Sequence, residues 1–482
     1  MKISDIFSLN KTQHELDFVD VDPWKDKSVF IDPFFLSTRT QPWCLDASRT
    51  IKNFFQFAID LIKNDKTDEA RSLFSHLHEP NETCLGLSKT KPQGRGVGDD
   101  DSQRIFDSLL QSKAVQTGLV EDLEDTAIFI EGIDRDKVSD MTTNIIRKHL
   151  LDYTKSQCNL WGIPLTPDVP TGFYWDSVRT RWDNEYTDRL IVDDRELLLV
   201  PKIAVSYWKD YTNQKYYQHD ILNFLKGEHL KNHSGLVRER TLKDGTKHYY
   251  VTKKDVAERD APYSKEFLRE FTTKHPEIFE SFRARTRNNV SPITNSSLEE
   301  INIEDLINHL IDKLNSIPPG SENASKYHNL AIGILELIFY PNLTNPVKER
   351  EINEGRKRID IVLDNSASDG YFFQLHTTYQ TPSRYIFVEC KNYNSDPENP
   401  EVDQLSGRFS LNTGKFGILM CRKIENKDLL IARCRDFWKQ KNELIIPFSD
   451  LEIVTILNGI ANKIPRPEEE ILANLQRDII IS

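Results

Sequence analysis

Six cysteines occur in the 482-residue chain (Cys44, Cys84, Cys158, Cys390, Cys421 and Cys434), and no pair has the Cys-x-x-Cys spacing. That spacing excludes a zinc ribbon and a disulfide framework, and reduced thiols are expected. No run of about 18 apolar residues exists, so no membrane span is expected. The segment Met1-Lys2-Ile3-Ser4-Asp5 leads into no apolar stretch with a small-residue cleavage site, so no signal peptide is expected either. Together these absences point to a cytoplasmic protein. There is no low-complexity tract. There is also no basic excess: the formal net charge is −12, which argues against constitutive, non-specific nucleic-acid binding. The glycine-rich basic stretch Lys89 to Gly98 is followed by no Walker lysine. It is therefore read as a surface loop rather than a phosphate-binding loop.

What is present divides by composition. A chain of this length is too long for one core and predicts two or three domains. Residues 1–215 read as an α/β domain. Its expected strands are 28–33, 126–130 and 196–201, the last with a continuation at 203–205 after Pro201; its expected helices are 51–62 and one capped by Ser139. Residues 216–320 are charged and mostly helical, with a hairpin signal where 236–242 and 247–251 flank Asp244-Gly245. The break Ile317-Pro318-Pro319-Gly320 marks the last boundary. Residues 321–482 then predict a helix at 325–340 and strands at 359–363, 371–375 and 385–390. A helix at 400–409, a strand at 417–421, a helix at 426–440, a strand at 444–447 and a helix at 449–460 complete the domain.

Within that last domain, ionisable groups are set into apolar strand runs. Asp360 interrupts Arg358-Ile359-Asp360-Ile361-Val362-Leu363, and Glu389 and Lys391 close Tyr385-Ile386-Phe387-Val388-Glu389-Cys390-Lys391. Alternate strand residues share a face, so Glu389 and Lys391 project together while Cys390 points away. Burying such groups is costly unless they share a cation or a phosphate. Basic residues cluster just upstream, in Lys348-Glu349-Arg350 and Arg356-Lys357-Arg358.

An Asp on one strand and Glu-x-Lys at the end of the next resembles the PD-(D/E)xK, restriction-endonuclease-like (Mrr-like) nuclease superfamily. The resemblance covers roughly residues 320–450 and rests on the motif together with the element order. It implies an α/β/α core with a mixed sheet. It also implies Asp360 and Glu389 as ligands of Mg²⁺ (with Mn²⁺ able to substitute), joined by the Cys390 carbonyl, and Glu336 as an added acidic metal residue. Lys391 would orient or help deprotonate the attacking water, and Gln404 would orient Lys391 or contact substrate. Arg356, Arg358 and Arg408 are candidate phosphate contacts. Asp364 shares strand parity with Asp360, but its neighbours Asn365 and Ser366 belong to turn chemistry. His328, two turns before Glu336, is a candidate for the cleft or for the helix surface.

The function implied is a DNA endonuclease, expected as a homodimer or larger oligomer because cutting two strands takes two active sites. Its architecture suggests microbial antiviral defence, with a regulatory ligand or partner at the N-terminal domain. The alternative is an inactive nucleic-acid-binding or nucleotide-sensing regulatory protein that keeps the fold. In the N-terminal half, Glu124, Asp125, Glu131, Asp134, Asp136 and Asp140 suggest either a cation site or an acidic surface. Tyr174, Trp175, Trp182 and Tyr186, beside Arg179 and Arg181, suggest either a base-stacking surface or core.

Overall fold

The computed structural model describes residues 1–86, 99–352 and 357–481. The loop reading of Lys89 to Gly98 falls outside the described residues.

Two hydrophobic cores organise the chain. The first runs from Ile3 to Leu298, so the boundary expected at 215 falls inside it. Its largest element is the helix Pro42–Lys63. Proline occupies its first turn, and Ile51, Phe54, Phe55, Ala58, Ile59 and Ile62 recur every three or four residues, which turns one stripe inward. The strands of this part are short and antiparallel. Phe30–Ile31 pairs with Val205–Ser206, Tyr174–Asp176 with Arg181–Asp183, and the expected hairpin joins Arg238–Thr241 to Lys247–Tyr250. The strand expected at 126–130 is instead the helix Asp125–Phe129. A five-residue apolar run does not by itself distinguish the two. The helix expected to start at Ser139 begins at Arg135, because Asp134 accepts from the Lys137 N–H at 3.1 Å and caps it.

The second core is built from residues after Leu298, with Leu160 reaching in from the first unit. Its elements are α1 (Ile303–Ser316), α2 (Ala324–Phe339), β1 (Leu343–Ile352), β2 (Lys357–Asn365), α3 (Gly370–Thr377), β3 (Tyr385–Lys391), α4 (Asn399–Ser406), β4 (Phe416–Cys421), α5 (Lys427–Lys441), β5 (Leu444–Ser449), α6 (Asp450–Ala461) and α7 (Pro467–Ile481). The five strands form one mixed sheet in the order β1-β2-β3-β4-β5, antiparallel from β1 to β3 and parallel from β3 to β5. Ile361 to Leu363 and Ile386 to Val388 are buried, as central strands covered on both faces require. Helix α2 packs on β1 and β3, and α4 packs across β3 to β5.

Three strands precede α4, as the pattern predicts, but they are not the predicted three. Residues 371–375 are helix α3, not a strand or an extra hairpin. The first strand, β1, was not anticipated. It carries Pro346 and a shift of register between Thr344 and Val347, which hide its periodicity.

Candidate active site

Strand β3 ends in the candidate site. Its register with β2 pairs Ile361 with Val388, and one further step puts Asp360 across from Glu389. There the backbone ladder gives way to a side chain: the Cys390 N–H donates to Asp360 Oδ2 at 2.9 Å. Glu389 is fully buried and Lys391 nearly so. The Lys391 ammonium donates to Glu389 Oε1 at 2.8 Å and to Gln404 Oε1 at 3.0 Å. Gln404 reaches it from α4. Four predicted residues from three elements thus form one connected group.

Arg408, just beyond α4, also reaches this group. Its guanidinium donates to Glu389 Oε2 and is largely buried, so in this state it faces a carboxylate rather than solvent. Both oxygens of Glu389 are therefore paired with protein cations. Arg356 lies outside the described residues, as does the side chain of Arg358.

Burial, and then the neighbouring Asp360 charge, push the Glu389 carboxyl above its ordinary range. Burial alone would lower the Lys391 ammonium, but Glu389 outweighs it and the net shift is upward. Lys391 is thus held as a cation, suited to orienting water and neutralising phosphate rather than to taking a proton. Asp360, Glu389 and the Cys390 carbonyl are an all-oxygen donor set of the kind Mg²⁺ takes alongside water. Among the described residues no cluster of three or more His, Cys, Asp or Glu side chains stands ready to hold a metal, so any ion here would rely on this smaller set.

Glu336 is not part of this group. His328, on the same helix, approaches the Cys390 carbonyl with Nε2 at 3.3 Å. Eight helical residues on, Glu336 lies about 12 Å further along the axis. It is buried against Lys202 of the first unit, at 3.2 Å. Burial raises the Glu336 carboxyl to about 8, with Lys202 offsetting part of the rise. Lys202 also donates to Asn295 Oδ1 at 2.8 Å and stands 3.9 Å above the Tyr340 ring. Asp17 accepts from the Tyr153 hydroxyl at 2.5 Å and from the Asn345 N–H at 3.0 Å. These contacts make a polar seam between the two units. Asp364, the rival to Asp360, is buried at the far end of β2 and accepts from Asn345 Nδ2 at 3.1 Å.

Residues that sequence reasoning missed support the site from behind. Asn392 donates to the carbonyls of Pro318 and Gly320, and Arg422 donates to Ile317 O at 2.6 Å and Asn392 Oδ1 at 3.0 Å. They fasten the Ile317–Gly320 break beside the end of β3. An Asn directly after Glu-x-Lys was the available signal.

The other candidates lie outside this group. Trp175 donates to Asn53 Oδ1 and Trp182 to Leu73 O, and both rings pack on Phe54 in the core. Arg179 and Arg181 pair with Asp183. Glu124 and Asp125 are buried, and Asp125 accepts from Tyr211 and Arg283. Tyr186 is exposed, and Glu131 and Asp134 lie on the surface. All six cysteines are free and buried. No helix among the described residues is long and apolar enough to cross a membrane.

Comparison with known proteins reaches only the first unit. Residues 8–213 match the model of a domain of unknown function, DUF8370. No curated protein matches the chain, and no solved structure does. The match ends well before the first hydrophobic core does, and it leaves the candidate site uncovered.

Proposed function

We propose that the C-terminal unit hydrolyses phosphodiester bonds with the help of a divalent cation, most directly as a DNA endonuclease. The observation that carries this reading is the junction of Asp360, Glu389, Lys391 and Gln404 at the ends of β2 and β3. Glu-x-Lys pairs are common, but here an Asp from the neighbouring strand and a Gln from the next helix converge on them. The element order from α2 through β4 supports the reading once α3, standing between β2 and β3, is set aside as an insertion.

Asp360 and Glu389, with the Cys390 carbonyl, would hold Mg²⁺ or Mn²⁺. That ion supplies a lowered water pKa and neutralises charge at the phosphate. Lys391 holds its proton; two of its N–H groups are given to Glu389 and Gln404, and the third would orient the attacking water and stabilise the phosphate oxygens. Gln404 fixes the Lys391 rotamer. The water oxygen forms the new P–O bond and gives up a proton to bulk water, the old P–O bond to the leaving alcohol breaks, and the alcohol oxygen takes up a proton from bulk water. A nuclease joined to a large second unit suits a restrained antiviral effector, a part of the reading that rests on architecture alone.

One observation favours a second reading. Because Lys391 and Arg408 already satisfy both oxygens of Glu389, the group is electrostatically complete without a cation. A protein that keeps the fold and only binds nucleic acid would show this arrangement too.

Supercoiled plasmid incubated with the protein and Mg²⁺ or Mn²⁺ distinguishes the two, alongside Mn²⁺ titration by calorimetry. The hydrolytic reading expects nicking that EDTA abolishes and that Asp360→Ala and Lys391→Ala each reduce by at least about a hundredfold. It also expects Mn²⁺ binding that Asp360→Ala removes. Absence of both nicking and Mn²⁺ binding would leave the binding-only reading in possession.

A further inference from the structure

A cavity of about 560 Å³ lies between the N-terminal end of the helix Pro42–Lys63 and the far ends of β2 and β3. Both units line it. Arg39, Gln41 and Arg49 come from the first, and Phe373, His376 and Arg384 from the second. Its volume falls in the range of small-molecule sites. None of its lining residues is acidic, in a chain whose formal charge is −12. Three guanidinium groups and an imidazole therefore face a space with no carboxylate on its wall.

Gln41 is the sharpest feature. It occupies the N-cap position of a 22-residue helix, yet its side chain makes no capping hydrogen bond. It is 1% exposed, and neither its amide nitrogen nor its amide oxygen has a partner. Burying an amide in that state is costly unless something else pairs with it. Arg39 is similarly incomplete. It stacks 3.9 Å from the Phe35 ring and donates to Val290 O at 3.4 Å, while its Nε is unpartnered. Arg384 is exposed and has no carboxylate partner among the described residues. Arg49 has one, Asp46, at 3.0 Å on the exposed surface.

We infer that this cavity binds a nucleotide, with its phosphate at the arginines and the helix terminus and its base against Phe373 and the Gln41 amide. Guanidinium forks match phosphate oxygens, and the free N–H groups of a helix's first turn favour an anion. No acidic residue stands in that first turn to oppose it. Phe373 is 42% exposed and offers the flat apolar face on which a base stacks. The Gln41 amide carries a donor and an acceptor, the pair a base edge presents in return. Asn365, at the end of β2, and Arg384, directly before β3, stand on the cavity wall, each five residues along the chain from Asp360 and Glu389. That separation is roughly 17 Å, so this site is distinct from the candidate active site and lies at the opposite edge of the same two strands. The site stands whether or not the carboxylates hydrolyse anything.

Calorimetric titration of the full chain with the four ribonucleoside 5′-monophosphates, with adenosine and with inorganic phosphate tests this. At least one nucleotide is expected to bind saturably. Arg384→Ala and Gln41→Leu, checked for folding by circular dichroism, should each weaken that binding by about tenfold or more. Asp360→Ala should leave it unchanged. Inorganic phosphate or adenosine binding as tightly as the nucleotides would overturn the assignment. So would affinity that survives both variants, or no nucleotide binding at millimolar concentration.

Discussion

At the scale of single residues, Glu336 separates a metal ligand from a structural charge. Were it a metal ligand, Glu336→Gln would abolish cleavage and barely affect stability. Buried against Lys202 in the seam, it should do the opposite. Above the raised pKa of about 8, where Glu336 is ionised, its loss leaves the buried Lys202 ammonium uncompensated, and stability should fall by roughly 3 kcal/mol. Plasmid nicking assayed well below the melting temperature should remain within about threefold of the natural chain. Loss of nicking without loss of stability would return Glu336 to the active site. The difference between Glu336 and Gln404 shows what was legible. Strand parity put Glu389 and Lys391 on one face, and that needs only the sequence. The position of α2 along its axis relative to β3 depends on which turn of the helix packs on the strand. His328 occupies that turn, and Glu336 is carried past the site. The pairing of Arg408 with Glu389 was equally hidden, since an arginine after a helix reads the same whether it meets a phosphate or a carboxylate.

Secondary-structure elements were legible where periodicity was clean and hidden where turn chemistry intervened. The helices α2, α4, α5 and α6 and the strands β2 to β5 stand within a few residues of their predicted places. The exchange of β1 for the stretch 371–375 left the strand count right for the wrong reason. Tyr371, Phe372 and Leu375 are buried as the apolar side of α3, a spacing that a short window does not separate from a strand. The turn before β4 carries a prediction of its own. Gly414 holds φ at +148°, and a Cβ there would meet the Tyr385 carbonyl oxygen at 2.7 Å. The adjacent Thr413 carbonyl accepts the Tyr385 N–H at 2.9 Å, tying the turn to the start of β3. Gly414→Ala should therefore lower stability by about 2 kcal/mol, read as a fall in the urea midpoint. An unchanged midpoint would show that the turn relaxes freely.

At the scale of the whole molecule, two cores meet along a seam that holds Asp17, Lys202 and Glu336 out of water. The short helical turn Gln13–Glu15 packs on α2 at Gly333, where a Cβ would meet Lys11 Nζ at 2.6 Å and Glu15 Oε1 at 3.1 Å. His14, in that turn, is buried with neither ring nitrogen partnered. Burial, and then the Lys202 charge, depress its pKa from 6.5 to about 4. A depressed pKa means that the unfolded chain takes up the proton first. The stability is present above pH 6.5 and is lost as pH falls towards 4. The melting temperature should drop across that window, and less steeply for His14→Leu than for the natural chain. Parallel slopes for the two proteins would remove His14 from the account.

The sequence by itself determined the strands β2 and β3, the shared face of Glu389 and Lys391, the break at Ile317–Gly320 and the run of elements from α4 to α6. These follow from local periodicity, side-chain parity and backbone restriction, all written within a few residues. Only the tertiary structure decided that Arg408 closes on Glu389, that Glu336 belongs to the seam, and that Gln41 and Arg384 face one cavity. Those pairings join residues 19, 134 and 343 positions apart. No local rule reaches that far, because such partners are chosen by how helices and strands pack once their apolar faces are buried.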